Sequence, residues 1–281
     1  MAALLALISS GLWGAADYHA GNLSKKFPAT AVLSVTQIIG LIFGVILATS
    51  TGSWGAQALG SNGYLLPGIA AGLCGYAGLI CLYAGLATGR MGVVSPISAM
   101  SGVVPVLYAV IFLGERFNSL VTIGVIFALL GAFMASGPEV SQGLPLKPIV
   151  LALGAALGFG GALTFMAQGS ESSALMTMVA MRAATFFISV AILLRLRGTG
   201  GMGKSHLPLL IFIGVADFSA NLILGVATTK GLVSLAMVFG SLFPIMTALL
   251  AFKYLHERLH KVQYAGIISA VVGVAMIAAF Q

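Results

Sequence analysis

One stretch of this chain occurs twice. Gly92 to Gly131 reads GVVSPISAMSGVVPVLYAVIFLGERFNSLVTIGVIFALLG, and Gly231 to Gly273 reads GLVSLAMVFGSLFPIMTALLAFKYLHERLHKVQYAGIISAVVG. In each, Val-Ser follows the first Gly by two and three positions (Val94-Ser95, Val233-Ser234), and Pro follows it by 13 (Pro105, Pro244). Each then carries Glu-Arg (Glu115-Arg116, Glu257-Arg258), with glycines 9 and 16 positions after the Glu: Gly124 and Gly131, then Gly266 and Gly273. Pro to Glu is 10 residues in the first copy and 13 in the second, so the first is nearly a helical turn shorter. Duplication is the simplest account, and it constrains the fold to two like units.

Composition says what was duplicated. The chain is 59% hydrophobic and 7% charged, with a mean hydropathy of +1.10, whereas a soluble domain carries roughly 25% charged residues. Apolar runs of span length follow one another from end to end, which predicts a polytopic membrane protein. A length of 281 residues accommodates roughly ten spans of about 20 residues. Helices are expected, because the runs lack the polar alternation of membrane barrels. The net charge of +7 does not point to nucleic acid. The basic residues are scattered between apolar runs and are not clustered with stacking aromatics. Cys74 and Cys81 lie in one apolar run at a helical rise of about 10.5 Å, too far for a disulfide, so packing is their expected role. The first apolar run lacks a basic leader and continues as the first span, so no cleavable signal is expected.

The runs predict spans over Ala2–Leu23, Ala31–Thr49, Leu65–Ala87, Gly92–Leu113 and Leu120–Ser136. A second set covers roughly Ile149–Ala167, Leu175–Leu194, Leu207–Thr229, Leu232–Leu255 and Gln263–Phe280. Between the sets, Gly137 to Pro148 holds three prolines and two charges in twelve residues and reads as a linker. The likeness extends outward from the first pair of stretches: Gly85–Arg90 (GLATGR) matches Gly225–Lys230 (GVATTK), and Trp13-Gly14 stands where Phe159-Gly160 stands. Two five-helix halves are therefore expected, 1–138 and 139–281. Five is odd, so the second half enters the membrane from the opposite side. The predicted fold class is an all-α membrane protein of ten transmembrane helices in two inverted five-helix repeats, a plan of secondary transporters with the site between the halves.

This plan resembles the drug/metabolite transporter superfamily, and its EamA-like branch in particular. The features that carry the resemblance are the penultimate span of each half with its internal Pro, the terminal Leu-Gly-Glu-Arg (Leu113–Arg116), and the Gly-rich span after it. The second half departs with Leu-His-Glu-Arg (Leu255–Arg258). An Arg in the second span of a half is a further piece of the pattern; Arg182 fills it, and Gln37 takes the matching place in the first half. The resemblance implies ten helices, a central cavity, and export or exchange of amino acids, related metabolites or drugs without a cofactor. It also implies residence as a multi-pass protein of the cell (inner) membrane of a prokaryote. Loop charges and resemblance disagree on orientation. Lys25, Lys26, Arg90, Lys147, Arg195, Arg197, Lys204, Lys253, Arg258 and Lys261 fall on one side, with Arg116 and Lys230 on the other. The positive-inside rule then puts both termini outside, whereas the resemblance puts them in the cytoplasm. Met1 and Gln281 share a side on either reading.

Charges within spans cost at least about 2.5 kcal/mol each at the helix centre. Asp17, Arg182 and Asp217 are the three that sit clearly within spans. One reading is a polar site at mid-membrane; the other is a structural pair of Arg182 with Asp217 on adjacent spans. Trp13 stands one turn before Asp17 on the same helical face, and Tyr18, His19 and Asn22 follow. A buried Asp17 could exchange a proton for a cationic substrate, as a first-span carboxylate does in the small multidrug exporters of this superfamily. Asp17 and Arg182 facing one cavity would instead suit a zwitterion, ammonium to Asp17 and carboxylate to Arg182. Asn221, one turn after Asp217, and Gln37, Tyr76 and Tyr83 complete the candidate lining. Gln168 and the cluster Met176, Met178 and Met181 are weaker candidates, with packing as the plainer role. Pro105 and Pro244 are candidate gating bends. Gly40/Gly44 and Gly68/Gly72 suit close helix packing. Enzymatic motifs are few. His256-Glu257-Arg258-Leu259-His260 matches the letters of the H-E-x-x-H zinc-protease pattern, but its Glu-Arg belongs to the repeat. An intramembrane metalloprotease is the alternative from another class; the principal expectation is a transporter with no metal and no enzymatic activity.

Overall fold

A computed structural model describes residues 1–86, 94, 97–135, 146–255 and 260–280, without the side chains of Tyr83, Leu86, Ala248, Ala251 and Leu255. Ser95, the Gly89-Arg90 turn, most of the expected linker (137–145), His256 to Leu259 of HERLH, and Gln281 lie outside the described residues. The described chain is helical. Its helices are α1 (Ala2–Ser24), α2 (Ala29–Ser50), α3 (Leu65–Leu86), α4 (Val103–Phe112), α5 (Ser119–Ala135), α6 (Leu146–Arg195), α7 (Leu207–Thr228), α8 (Val233–Gly240), α9 (Phe243–Leu255) and α10 (Lys261–Phe280).

α6 joins two expected spans without an intervening loop. At 50 residues a straight helix would run about 75 Å, far beyond a bilayer core. It divides at Ser173, whose backbone is extended (φ −163°, ψ 109°). The Ser173 hydroxyl accepts the Met176 N–H at 3.2 Å, so one serine ends the first limb and caps the second.

The two proline-bearing spans are both broken. A 3-10 turn over Met100–Gly102 precedes α4, and α8 stops at Gly240 before α9 resumes at Phe243. Pro105 follows Gly102 by three residues and Pro244 follows Leu242 by two, because proline offers no N–H to the carbonyl a turn earlier. The breaks touch one another: a Cβ on Gly102 would lie 2.9 Å from the Ser241 side chain. α4 has 10 residues, and the described part of α9 has 13.

The repeated glycines also meet. α5 and α10 run antiparallel with almost no space between backbones. A Cβ on Gly131 would sit 2.4 Å from the Ala270 nitrogen, and one on Gly273 would sit 2.5 Å from both the Gly124 carbonyl and the Ala128 nitrogen. Small residues at these positions let the helices close on each other where hydrophobic driving force is absent. Outward faces are apolar, with Ile42, Ile46, Ile80, Phe187, Ile268 and Val271 exposed. Some buried hydroxyls return to their own helix, as Thr164 does to the Gly160 carbonyl (2.9 Å) and Ser170 to that of Met166 (2.7 Å), while Ser9 of α1 crosses to the Ala220 carbonyl of α7 (2.7 Å).

The bundle has two unlike ends. At one, Ala2 abuts Gly231, Asn118 Nδ2 donates to the Phe280 carbonyl (2.8 Å), and Glu115 meets Val233. Met1 and Phe280 thus lie at the same end. The α4–α8 pairing lies at this end, with Ser234 through Gly240 all buried, beside a cleft of about 280 Å³ between the starts of α1 and α8. At the other end the α1–α2 turn packs on the α6–α7 connection, with Phe27 against His206 at 4.8 Å. That end gathers Lys25, Lys26, Lys147, Arg195, Arg197, Lys204, Lys253 and Lys261, and there Phe252, Lys253 and Tyr254 of α9 are exposed.

Candidate functional site

A cavity of about 310 Å³ runs into the bundle from the basic end. Trp13, Ala16, Asp17, Ala20 and Ser24 line it, spaced three and four apart so that one stripe of α1 forms its wall. α2 contributes Thr36 and Gln37, α3 Tyr76, the two limbs of α6 Phe159 and Arg182, and α7 Asp217 and Asn221. Ser24 and Ala29 stand at the mouth, while Ser101 and Phe243, beside the two helix breaks, lie at the blind end.

Arg182 and Asp217 form an ion pair (Nη2 to Oδ2, 2.5 Å), with Arg182 5% and Asp217 28% exposed. Further hydrogen bonds surround the pair. Arg182 Nη1 donates to Gln37 Oε1 at 2.7 Å, Trp13 Nε1 donates to Asp217 Oδ1 at 3.1 Å, and Asn221 Nδ2 donates to the Asp217 carbonyl at 2.8 Å. Both charges come from the second half, while their neutral partners Gln37 and Trp13 come from the first. Gln37 and Arg182, which occupy matching places in the two halves, therefore meet. Two arginines there would repel, and the amide in the first half is what permits the contact.

Asp17 is different. It lines the cavity, is exposed to it, and makes no hydrogen bond or ion pair with any described residue. The described charges lining the cavity are Asp17, Asp217 and Arg182, and two of them neutralise each other. The cavity therefore holds one carboxyl group with no ion-pair partner among the described residues, on α1, among walls that are largely apolar and aromatic.

The other sequence candidates divide. Tyr76 lines the cavity, and its hydroxyl is buried without a partner among the described residues. Tyr18 and His19 do not line it. Tyr18 packs on His19 (5.0 Å between rings) and Tyr254 (6.3 Å), and His19 on Phe212 (5.4 Å), because they stand on the side of α1 away from the Trp13–Asp17 stripe. The Tyr83 side chain lies outside the described residues. Gln168 is turned to the Tyr108 hydroxyl at 2.8 Å. Met181 lines the cavity, whereas Met176 and Met178 are core residues, 2% and 1% exposed. Sequence reasoning did not single out Thr36, Ser101, Leu163 or Phe243 as lining. Phe159 had a signal, since it occupies the place of Trp13 in the second half. Of the HERLH segment only His260 is described, and no group of three potential metal ligands occurs among the described residues.

Comparison with known proteins agrees with this architecture. A profile of the EamA-like transporter family matches residues 1–137 and again 146–279. No curated protein matches the chain. Solved structures do, in 28 chains. One of them, titled only "Crystal structure of protein", superposes with a TM-score of 0.79 at 15% identity, over 99% of this chain and 96% of its own. At that identity the likeness concerns the fold alone. With nearly its whole length matched in two blocks, this multi-pass, all-helical membrane protein belongs to the EamA-like transporter family.

Proposed function

We propose that the protein is a secondary transporter that exports or exchanges small amine-bearing metabolites, binding the cationic amine at Asp17. The observation that carries this reading is the unpaired Asp17 carboxylate in an otherwise neutral cavity. A lone carboxylate at membrane depth is expensive, and a cargo cation or a proton offsets that cost when it binds. Trp13, one turn away and also lining the cavity, would give a cation an aromatic wall. The two halves, 1–138 and 139–281, act in this proposal as inverted repeats of five spans each. Support comes from the double family match, the antiparallel α5–α10 pair and the touching breaks at Gly102 and Ser241. Bending at the breaks before Pro105 and Pro244 would open one end as the other closes.

The arrangement of Arg182 revises the zwitterion expectation. Its guanidinium already holds Asp217 and Gln37 through two of its N–H groups, so a cargo carboxylate would compete with Asp217 for the same charge. Amino acids then belong to the cargo class through their ammonium group alone, and cationic amines fit better. Flux into proteoliposomes tests this with paired substrates, each an amino acid and its decarboxylated amine. The amine is expected to move at least as fast, in exchange for protons, and Asp17→Asn is expected to abolish that flux. Preferred transport of the amino acid over its amine would overturn the cation assignment.

A further inference from the structure

We infer that Glu115 is the lock on the closed end of the cavity, a positioning residue that sets which face the empty carrier presents. The inference rests on the transporter reading above and concerns a contact between the two halves. α8 begins with Leu232 at its cap position, a side chain that cannot accept the free N–H groups of the first turn. The body of α8 from Ser234 to Gly240 is buried, while Leu232 and Val233 at its start remain partly exposed. Glu115 serves those N–H groups, from 118 residues earlier. Its Oε1 accepts the Val233 N–H at 2.7 Å, and its Oε2 accepts the Ser234 N–H at 3.2 Å and the Ser234 hydroxyl. Hydrogen bonds to an ionised carboxylate are about twice as strong as neutral ones, and the helix dipole adds to them.

The loop is built to hold this acid in place. Gly114 has φ +68°, a left-handed conformation that glycine adopts without strain. It ends α4 and lets the Glu115 N–H return to the Ala109 carbonyl at 3.1 Å. Three residues on, Asn118 Oδ1 caps α5 through the Val121 N–H (2.8 Å), while its amide holds the Phe280 carbonyl. The Leu-Gly-Glu of the repeat thus has a mechanical meaning: glycine makes the turn, and glutamate crosses to the other half. Because the α4–α8 pairing is what seals this end, opening it requires these bonds to part.

The test reads accessibility without cargo, so a failure of the Asp17 assignment leaves it intact. In a background with Cys74 and Cys81 replaced by Ala, Ser101→Cys places a single thiol at the blind end of the cavity. A membrane-impermeant thiol reagent is applied to either face of oriented vesicles. Glu115→Gln should speed labelling from the face of the termini by at least about tenfold, the change that about 1.4 kcal/mol produces in an equilibrium, and slow it from the basic face. Ser234→Ala, which removes one of the bonds and keeps the backbone pair, should shift both rates the same way by less, and carries the test if Glu115→Gln does not fold. Unchanged rates in both variants would overturn the inference. So would faster labelling from both faces, the mark of a loosened bundle.

Discussion

Asp17 and Asp217 are acids of one cavity with opposite circumstances, and substitution should separate them. Asp17→Asn is expected to lose transport while keeping the melting temperature in detergent, since no described partner is lost. Arg182→Met should instead destabilise the fold by about 3–5 kcal/mol, the cost of leaving a buried charge alone. Adding Asp217→Asn should restore much of that stability, and thermal unfolding of the single and double variants checks both. A change of cargo selectivity in Arg182→Met at unaltered stability would show instead that the guanidinium is free for substrate. The three charged positions were legible in the sequence because membrane burial makes any charge conspicuous. Their pairing was legible only as one of two readings, since which neighbour reaches Arg182 depends on how α2 and α7 pack around it. The place of Tyr18 and His19 on the far side of α1 was not legible, because hydropathy across this helix is too even to mark its inner face.

At the scale of elements, the α5–α10 seam gives the sharpest expectation. Gly273→Ala should cost about 1–3 kcal/mol by overpacking, since its methyl would meet backbone atoms that cannot swing aside. Detergent melting curves measure this, and Gly55→Ala, with nothing within 4 Å of its Cβ, is the control. The seam glycines were visible as a spacing of 9 and 16 residues after Glu, though nothing in the spacing said that the two sets face each other. Pro105 and Pro244 announced the breaks, but the turns themselves lie just before the prolines. The two limbs of α6 were legible as separate spans, but the exact turn at Ser173 was hidden: one serine extends the backbone and caps the next helix, and no proline marks the residue where the chain breaks.

For the molecule as a whole, the cavity mouth at the basic end and the α4–α8 pairing at the opposite end define one state. Ser24→Cys in the cysteine-free background should react with an impermeant reagent only from the face that carries Lys25 and Arg195. If the positive-inside rule governs, that face is cytoplasmic, and a reporter fused after Phe280 will read outside. A cytoplasmic reporter signal would show that the loop charges do not set this topology. The Pro-to-Glu spacings of 10 and 13 residues carry this asymmetry further. A perfect duplicate would have two open states related by symmetry and equal in free energy, and an empty carrier would wait at either membrane face equally often. Nearly one turn of helix missing from one copy removes that degeneracy. Under the proposed exchange it gives the empty protein a home side, with populations set by the free-energy gap between the two states. In the described conformation, that side is the basic one.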